Sequence, residues 1–476
     1  MMTGAPRSEP PRAARHIAAR ATAAVLIVLV GATTACHDLL NPPLPAGTQD
    51  PSSFHDEAGA LARYHDAVDD AGERLVLYAV DAGLFTDELR DNTLGGGAGP
   101  VNQLDERMLP EQGEGSVNQS GAPGDYELLQ GLRGSTADAI GALRTYAPRQ
   151  PTALTGEMYA YQGYAEIGLA DMYCSGIPLS TLDFGGDFTY RAGSTTSDVY
   201  RHAIALFDTA LTLAADSARI ANLALIGKGR ALLDLGQFAE AAQAVAGVSD
   251  DYRFQFQVDW RGRLGDNGFR QPPPLHGATV ADSEGVNGLA FISSGDPRTA
   301  SHQTAVNTHG VPIYEPDAYV EVAPFTLASG VEARLIQGEA QLQAGDVAGW
   351  LATLNRLRTD GTYDTQPDPA DSTKTDTLWH AGTGGVAGLR PLDDPVTPDE
   401  RVDLLFHERA YWLFLTGRRQ GDLRRLLRQY GRHQEQVYPT GFYPGGQGIY
   451  GADFTVPVPA SERVNPLFTG CIDRDP

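Results

Sequence analysis

Lysine is nearly absent: Lys228 and Lys374 are the only two in 476 residues, and every other basic side chain is arginine. That bias fits GC-rich coding and carries no functional information. Basic charge as a whole is scarce too, with 36 Lys and Arg against 60 Asp and Glu for a net charge of −24. A nucleic-acid binder needs a basic stripe to displace counterions from phosphate, so that class is excluded, and anionic lipid surfaces are disfavoured for the same reason. Local catalytic signatures are also missing. His407-Glu408 is not a zinc-binding pair, because Tyr411 stands where the second histidine is required. The glycines at 95–97 lack the Gly-Lys-Ser/Thr of a phosphate loop, no Gly-x-Ser-x-Gly elbow is present, and Asp183-Phe-Gly-Gly-Asp187 lacks calcium-loop spacing. The eleven histidines show no metal-ligand spacing, so neither a cofactor nor a metal is expected. The two acids of a glycosidase can lie far apart in sequence, so this disfavours an enzyme without closing the question.

What is present starts at the N-terminus. Arg7, Arg12, Arg15 and Arg20 precede an apolar run from Ala21 to Ala35, which has the form of a secretory leader and is short for a spanning helix. Thr33-Thr34-Ala35-Cys36 then resembles the lipobox of bacterial lipoproteins, with Thr33 where that motif usually has Leu. Lipidation at Cys36 is the expectation; ordinary cleavage near Ala35 and an uncleaved anchor are the alternatives. Residues 1–35 are therefore read as signal peptide and 36–50, with Pro42-Pro43-Leu44-Pro45, as a stiff tether. Loss of the leader leaves 32 basic against 59 acidic side chains, a net charge of −27. The other two cysteines, Cys174 and Cys471, are either a disulfide, as an extracytoplasmic pair suggests, or two buried thiols.

The mature body, residues 51–476, reads as one mostly helical domain. Apolar spacing predicts helices over 56–83, 153–174 and 198–215, the last with Asp198 as N-cap. Thr397-Pro398-Asp399-Glu400 is a capping box opening a helix that ends near Gly417, and another runs from about Asp422 to Gly431. Residues 229–241 and 338–350 can be superposed, each a helix, a Leu/Ala-Gly turn and a second helix, and both resemble the tetratricopeptide unit. Gly- and Pro-rich stretches at 91–124, 261–311 and 360–398 interrupt them and are expected to be long loops on one side of the scaffold.

Several segments, in order, resemble the SusD/RagB family of outer-membrane nutrient-binding lipoproteins. They are the lipobox with Asp38-Leu39-Leu40-Asn41-Pro42, the stretch from Tyr159 to Leu179 ending Tyr173-Cys174-Ser175-Gly176-Ile177-Pro178-Leu179, and Asp296-Pro297-Arg298 with the helical pair at 333–358. The most specific is Glu408-Arg409, Phe414, Gly417, Arg419 and Asp422-Leu423-Arg424-Arg425, followed by Pro457-Val458-Pro459, Glu462 and Asn465-Pro466. Trp412 and Thr416 depart from it, standing where the family usually has Glu. The resemblance implies a SusD-like scaffold of four tetratricopeptide-like helix pairs. It also implies an outer-membrane lipoprotein facing outward, which binds an oligosaccharide or other nutrient for a SusC-like TonB-dependent transporter and does no chemistry. A tetratricopeptide-like adaptor for protein partners is the second reading, and a glycoside hydrolase the third.

Glu408, Arg409, Arg419, Asp422 and Arg424 are read as a structural ion-pair network between the late helices rather than a ligand site. A sugar site needs aromatic faces for the C–H side of the ring and polar side chains for its hydroxyls. Asp87, Arg90 and Asn92 at the mouth of the first long loop, with Trp260, Tyr314 and Trp379 in or beside the later ones, are the ligand-binding candidates; Phe256 and Tyr319 accompany them.

Overall fold

The computed structural model describes residues 55–91, 100–109, 124–259, 278–307, 310–319, 322–367, 375–381, 389–443 and 448–475. Residues Phe54–Pro476 form one compact unit; Met1–Ser53, with the leader and Cys36, lie outside the described residues. The helices among the described residues are α1 (Glu57–Phe85), α2 (Pro100–Asp105), α3 (Asp125–Tyr146), α4 (Thr152–Met172), α5 (Thr196–Leu213), α6 (Ala218–Asp234), α7 (Phe238–Val245), α8 (Gly330–Gln343), α9 (Val347–Asp360), α10 (Pro398–Trp412), α11 (Arg419–Arg428) and α12 (Gln434–Val437). Helix α1 packs on α3, α4 on α5, α6 on α7 and α8 on α9, and the pairs stack in order through α3–α4, α5–α6 and α7–α8. A helix pair cannot cover its own apolar face, so stacking produces one continuous core running from Ala60 of α1 to Ile336 of α8.

The two superposable segments are α6–α7 and α8–α9, and their turns are the same object. Gly236 and Gly345 sit at φ +72° and +79°. Gly236 N–H donates to Leu233 O and Gln237 N–H to Leu232 O, while Gly345 N–H donates to Leu342 O and Asp346 N–H to Gln341 O. Each is a Schellman cap, which needs a left-handed residue and so selects glycine. The capping box at Thr397 is present, with Thr397 Oγ1 accepting from Glu400 N–H and Glu400 accepting from Thr397 N–H.

Three expectations need correction. The N-cap of α5 is Thr195, whose hydroxyl accepts from Asp198 N–H; Asp198 sits inside the first turn and accepts from the Thr195 hydroxyl. Helix α10 stops at Trp412 and α11 begins at Arg419, so Asp422 lies inside a helix rather than at its start. The interrupting stretches are not plain loops. Ala278–Val280 pairs with Leu89–Asp91, Ser301–Val306 with Pro312–Pro316, and Gly361–Pro367 with Thr375–Ala381, all antiparallel. Short period-2 strands rich in Thr and polar residues carry little of the apolar signal that a sequence reading relies on.

Candidate functional site

The late helices are bound to the scaffold by buried arginine–carboxylate pairs. Arg409 grips Asp422 through two hydrogen bonds of 2.8 Å, and Arg425 reaches the same carboxylate at 2.6 Å and also Glu339. Arg419 grips Asp87 at 2.7 and 2.9 Å. Arg424 spans to the carbonyls of Ala170 and Asp171 at the end of α4. Glu408 accepts from Arg298 and Arg358. Burial alone would raise the Glu408 and Asp422 carboxyls, but His407, Arg298 and Arg358 around the first, and Arg409 and Arg425 around the second, hold both at about 2. Cys174 and Cys471 are joined in a disulfide with Cα atoms 5.9 Å apart, and Ile472 N–H donates to Ser175 O beside it.

These pairs fix the segment between α10 and α11, where a cavity of about 310 Å³ opens. Its opposite wall is a two-stranded ribbon, Arg253–Asp259 paired with Val322–Ser329 in the register Gln255↔Thr326 and Phe256↔Phe325. Alternation along a strand sends neighbours to opposite faces. Phe254 and Phe256 enter the core against Tyr161, while Arg253 and Gln255 line the cavity with Pro324 and Thr326. Gln255 Nε2 donates to Thr326 Oγ1 across the ribbon at 3.1 Å. The other walls are Tyr319 and Asp317 from one loop and Tyr411, Trp412 and Phe414 from the end of α10.

The aromatic wall is held from behind. The Arg298 guanidinium lies 4.7 Å from the centroid of Trp412 and 5.2 Å from that of Tyr411, while it pairs with Asp296 and Glu408. Phe414 stacks on Phe291 at 5.0 Å, and Tyr411 donates its hydroxyl to Ala290 O. Leu415 adopts φ +55°, an uncommon conformation for leucine, and its N–H donates to buried Glu88 at 2.9 Å. An aromatic surface therefore stands beside amide, hydroxyl and charged groups.

The residues expected from sequence to bind ligand are not brought together there. Asp87 is buried, and its two oxygens accept from Arg419 and from Leu289 N–H, which leaves no face for a ligand. Arg90 points to Glu284, at 3.4 Å. Tyr314 packs beside the Val80–Phe291 cluster and does not line the cavity. Asn92 and Trp260 lie outside the described residues, and of Trp379 only the backbone, paired with Tyr363, is described. Phe256 is a core plug. Tyr319 does line the cavity, and so does Trp412, which stands where the family pattern usually has Glu. The Arg253–Asp259 ribbon gave an alternating Phe-x-Phe signal that could have placed Gln255. A second aromatic pair, Phe188 and Tyr190, is exposed with ring centroids 4.8 Å apart. Among the described residues no group of three or more His, Cys, Asp or Glu is placed to hold a metal.

Buried acids on this side set a pH dependence. Burial pushes Glu88 up to about 8 and Glu284 up to about 7, and the hydrogen bond to Glu166 raises His202. Each group binds its proton more tightly in the folded chain than in the unfolded one. Stability therefore declines as pH rises through roughly 4.5 to 8, whereas Glu408 and Asp422 withdraw theirs only as pH falls from the ordinary carboxylate range toward about 2. The melting temperature is expected to be higher near pH ~5 than near pH ~8.5. A scan that is flat or rises over that range would contradict these assignments.

A stacked scaffold of helix pairs with a ligand-sized cavity on its loop side defines the class, and solved structures give the fold a name. A SusD superfamily protein from Bacteroides thetaiotaomicron matches with a TM-score of 0.58 at 12% identity, covering 86% of this chain and 99% of that one. A surface glycan-binding protein A from Bacteroides uniformis matches at 0.56 and 12% identity over 86% of this chain and 98% of its own. A SusD-like carbohydrate binding protein from Bacteroides vulgatus matches at 0.54 and 14% identity over 87% and 98%. No family model and no curated protein sequence matches the chain. The chain has the SusD-like fold.

Proposed function

We propose that this protein is an outward-facing outer-membrane lipoprotein that binds an oligosaccharide in the cavity between the Arg253–Asp259 ribbon and the Tyr411–Thr416 segment, and passes it uncut to a SusC-like TonB-dependent transporter. The observation that carries the binding step is the wall itself. Tyr319, Trp412 and Phe414 supply aromatic rings, and Gln255, Thr326 and Asp317 supply hydrogen-bonding groups, around one space of about 310 Å³. The fold supports the reading, since two structures sharing it are named for glycan or carbohydrate binding. The cavity chemistry favours binding without cleavage. Glycoside hydrolysis needs two working carboxyl groups on either side of the bond. The described carboxylates on these walls are Asp317 and Glu332, and both Glu332 oxygens are held by Arg230 at 2.8 and 2.7 Å.

The test is calorimetric titration against a panel of oligosaccharides, with chromatography of the recovered sugar. Binding without product is expected, and Trp412→Ala is expected to weaken the best ligand by about tenfold or more, since a desolvated aromatic contact is worth roughly 1–3 kcal/mol. Appearance of cleaved product would move the protein to the hydrolases, and an unchanged affinity in Trp412→Ala would remove the cavity from the account.

The anchor is tested separately. Cys36 is expected to incorporate labelled palmitate in cells, and Cys36→Ser to release the protein from membranes, because an acidic body at net −27 has no charge attraction to them. Full membrane retention of Cys36→Ser would contradict lipid tethering at that residue.

A further inference from the structure

Sharing Glu332 with the ligand cavity as a wall is a second, small space of about 10 Å³. That is room for one water-sized or monatomic species. It lies where α4, α6, α8, α10 and α11 converge, and arginine dominates what is unspent around it. Arg418 is buried at 5% exposure, yet among the described residues its one hydrogen bond runs from Nε to Thr416 O at 3.2 Å, and no carboxylate pairs with it. Its Nη1 has no hydrogen-bond partner, and the same is true of Arg230 Nη1 and of Arg409 Nη1, which lies 3.7 Å from Glu339 Oε2; the other nitrogens of these two are engaged by Glu332 and Asp422. All three arginines line the space.

Acceptors are short by comparison. Asp422 is taken by Arg409 and Arg425, Glu332 by Arg230, and Asp171 Oδ1 accepts from the Tyr200 hydroxyl at 2.6 Å. Asp234 Oδ2 is the wall acceptor without a partner. A water molecule donates as often as it accepts and cannot serve three donors against one acceptor. Burial and the neighbouring Asp171 also raise the Asp234 carboxyl, which makes it a weaker acceptor than an ordinary carboxylate. Unsatisfied buried donors of one kind converging on a small space call for an acceptor.

We propose that this space is a binding site for a monatomic anion of chloride size, held by Arg418 together with Arg230 and Arg409. The anion accepts from the buried Arg418 Nη1, whose nearest charge partner on the wall is Asp171, and ties the α10–α11 segment to the stacked helix pairs. The site is independent of what the larger cavity binds.

Crystals of the protein soaked in sodium bromide give the direct test: an anomalous peak is expected within hydrogen-bond distance of Arg418 Nη1 and of the Arg230 and Arg409 guanidinium groups. In solution, the melting temperature in sodium chloride is expected to exceed that in sodium gluconate at equal ionic strength by on the order of 2 °C, and Arg418→Gln to abolish that difference. The wild-type bromide measurement stands by itself if Arg418→Gln fails to fold. An ordered water with no anomalous signal, or melting temperatures that are the same in chloride and gluconate, would overturn the proposal.

Discussion

Replacing Asp422 by Ala is expected to cost about 3–5 kcal/mol of folding stability, which is the range for removing one partner of a buried ion pair. Asp422 is 4% exposed and receives three hydrogen bonds, two from Arg409 and one from Arg425. Its loss leaves two guanidinium groups competing for Glu339, with Asp234 3.4 Å from Arg425 as the remaining acid. The pair also joins α10 to α11, so the damage spreads to the Tyr411–Thr416 wall between them. Urea unfolding of wild type and Asp422→Ala measures the difference. A change within about 0.5 kcal/mol, the usual range for a surface substitution, would contradict a structural role for this network. The same logic separates structure from ligand binding at Asp87. Asp87→Ala is expected to fall with Asp422→Ala in stability, because it strips Arg419 of its only carboxylate grip among the described residues.

The second large effect comes from the covalent tie. Cys174→Ser is expected to destabilise the protein by up to about 5 kcal/mol in the chain-entropy description, since the bond closes a loop with a sequence separation of 297 residues. Part of that loss is offset locally. Ser175 N–H donates to Asp473 O, Ile472 N–H to Ser175 O, and Cys174 N–H to Val456 O, so the final segment keeps its place along the end of α4 without the bond. The variant should therefore fold and melt earlier, and reduction of the wild type should shift its unfolding midpoint by a similar amount. An unchanged midpoint in both would show that the tie adds nothing to these backbone contacts.

The parts of this molecule that were legible from sequence are those with local, repeated or covalent signals. The capping box at Thr397 is written in four consecutive residues, and the matched turns at Gly236 and Gly345 follow from a backbone shape that selects glycine. Of the residues expected to pair between the late helices, Arg409 and Asp422 do so, whereas Glu408 pairs with Arg298 and Arg358, Arg419 with Asp87, and Arg424 donates to the carbonyls of Ala170 and Asp171. What failed was partner choice over distance. Asp87 looked like a loop-mouth ligand contact because it sits among polar residues at the start of the first interrupting stretch, and its partner, Arg419, is 332 residues away. The cavity was hidden for the same reason. Its walls come from residues 253–255, 297–300, 317–319, 324–332 and 411–416, and each fragment taken alone reads as an ordinary strand or helix end. Trp412 is the instructive case: a tryptophan at the last position of a helix reads as packing, and only Arg298 behind it and the ribbon opposite reveal a ring placed at the edge of a space.

The most direct test of the central claim is a crystal structure of the protein with the tightest-binding oligosaccharide from the panel. The account predicts intact sugar density in the cavity of about 310 Å³, with a ring face against Trp412 or Tyr319 and hydroxyls within hydrogen-bond reach of Gln255, Thr326 or Asp317. Sugar bound instead on the exposed Phe188–Tyr190 pair, with the cavity holding only solvent, would contradict it.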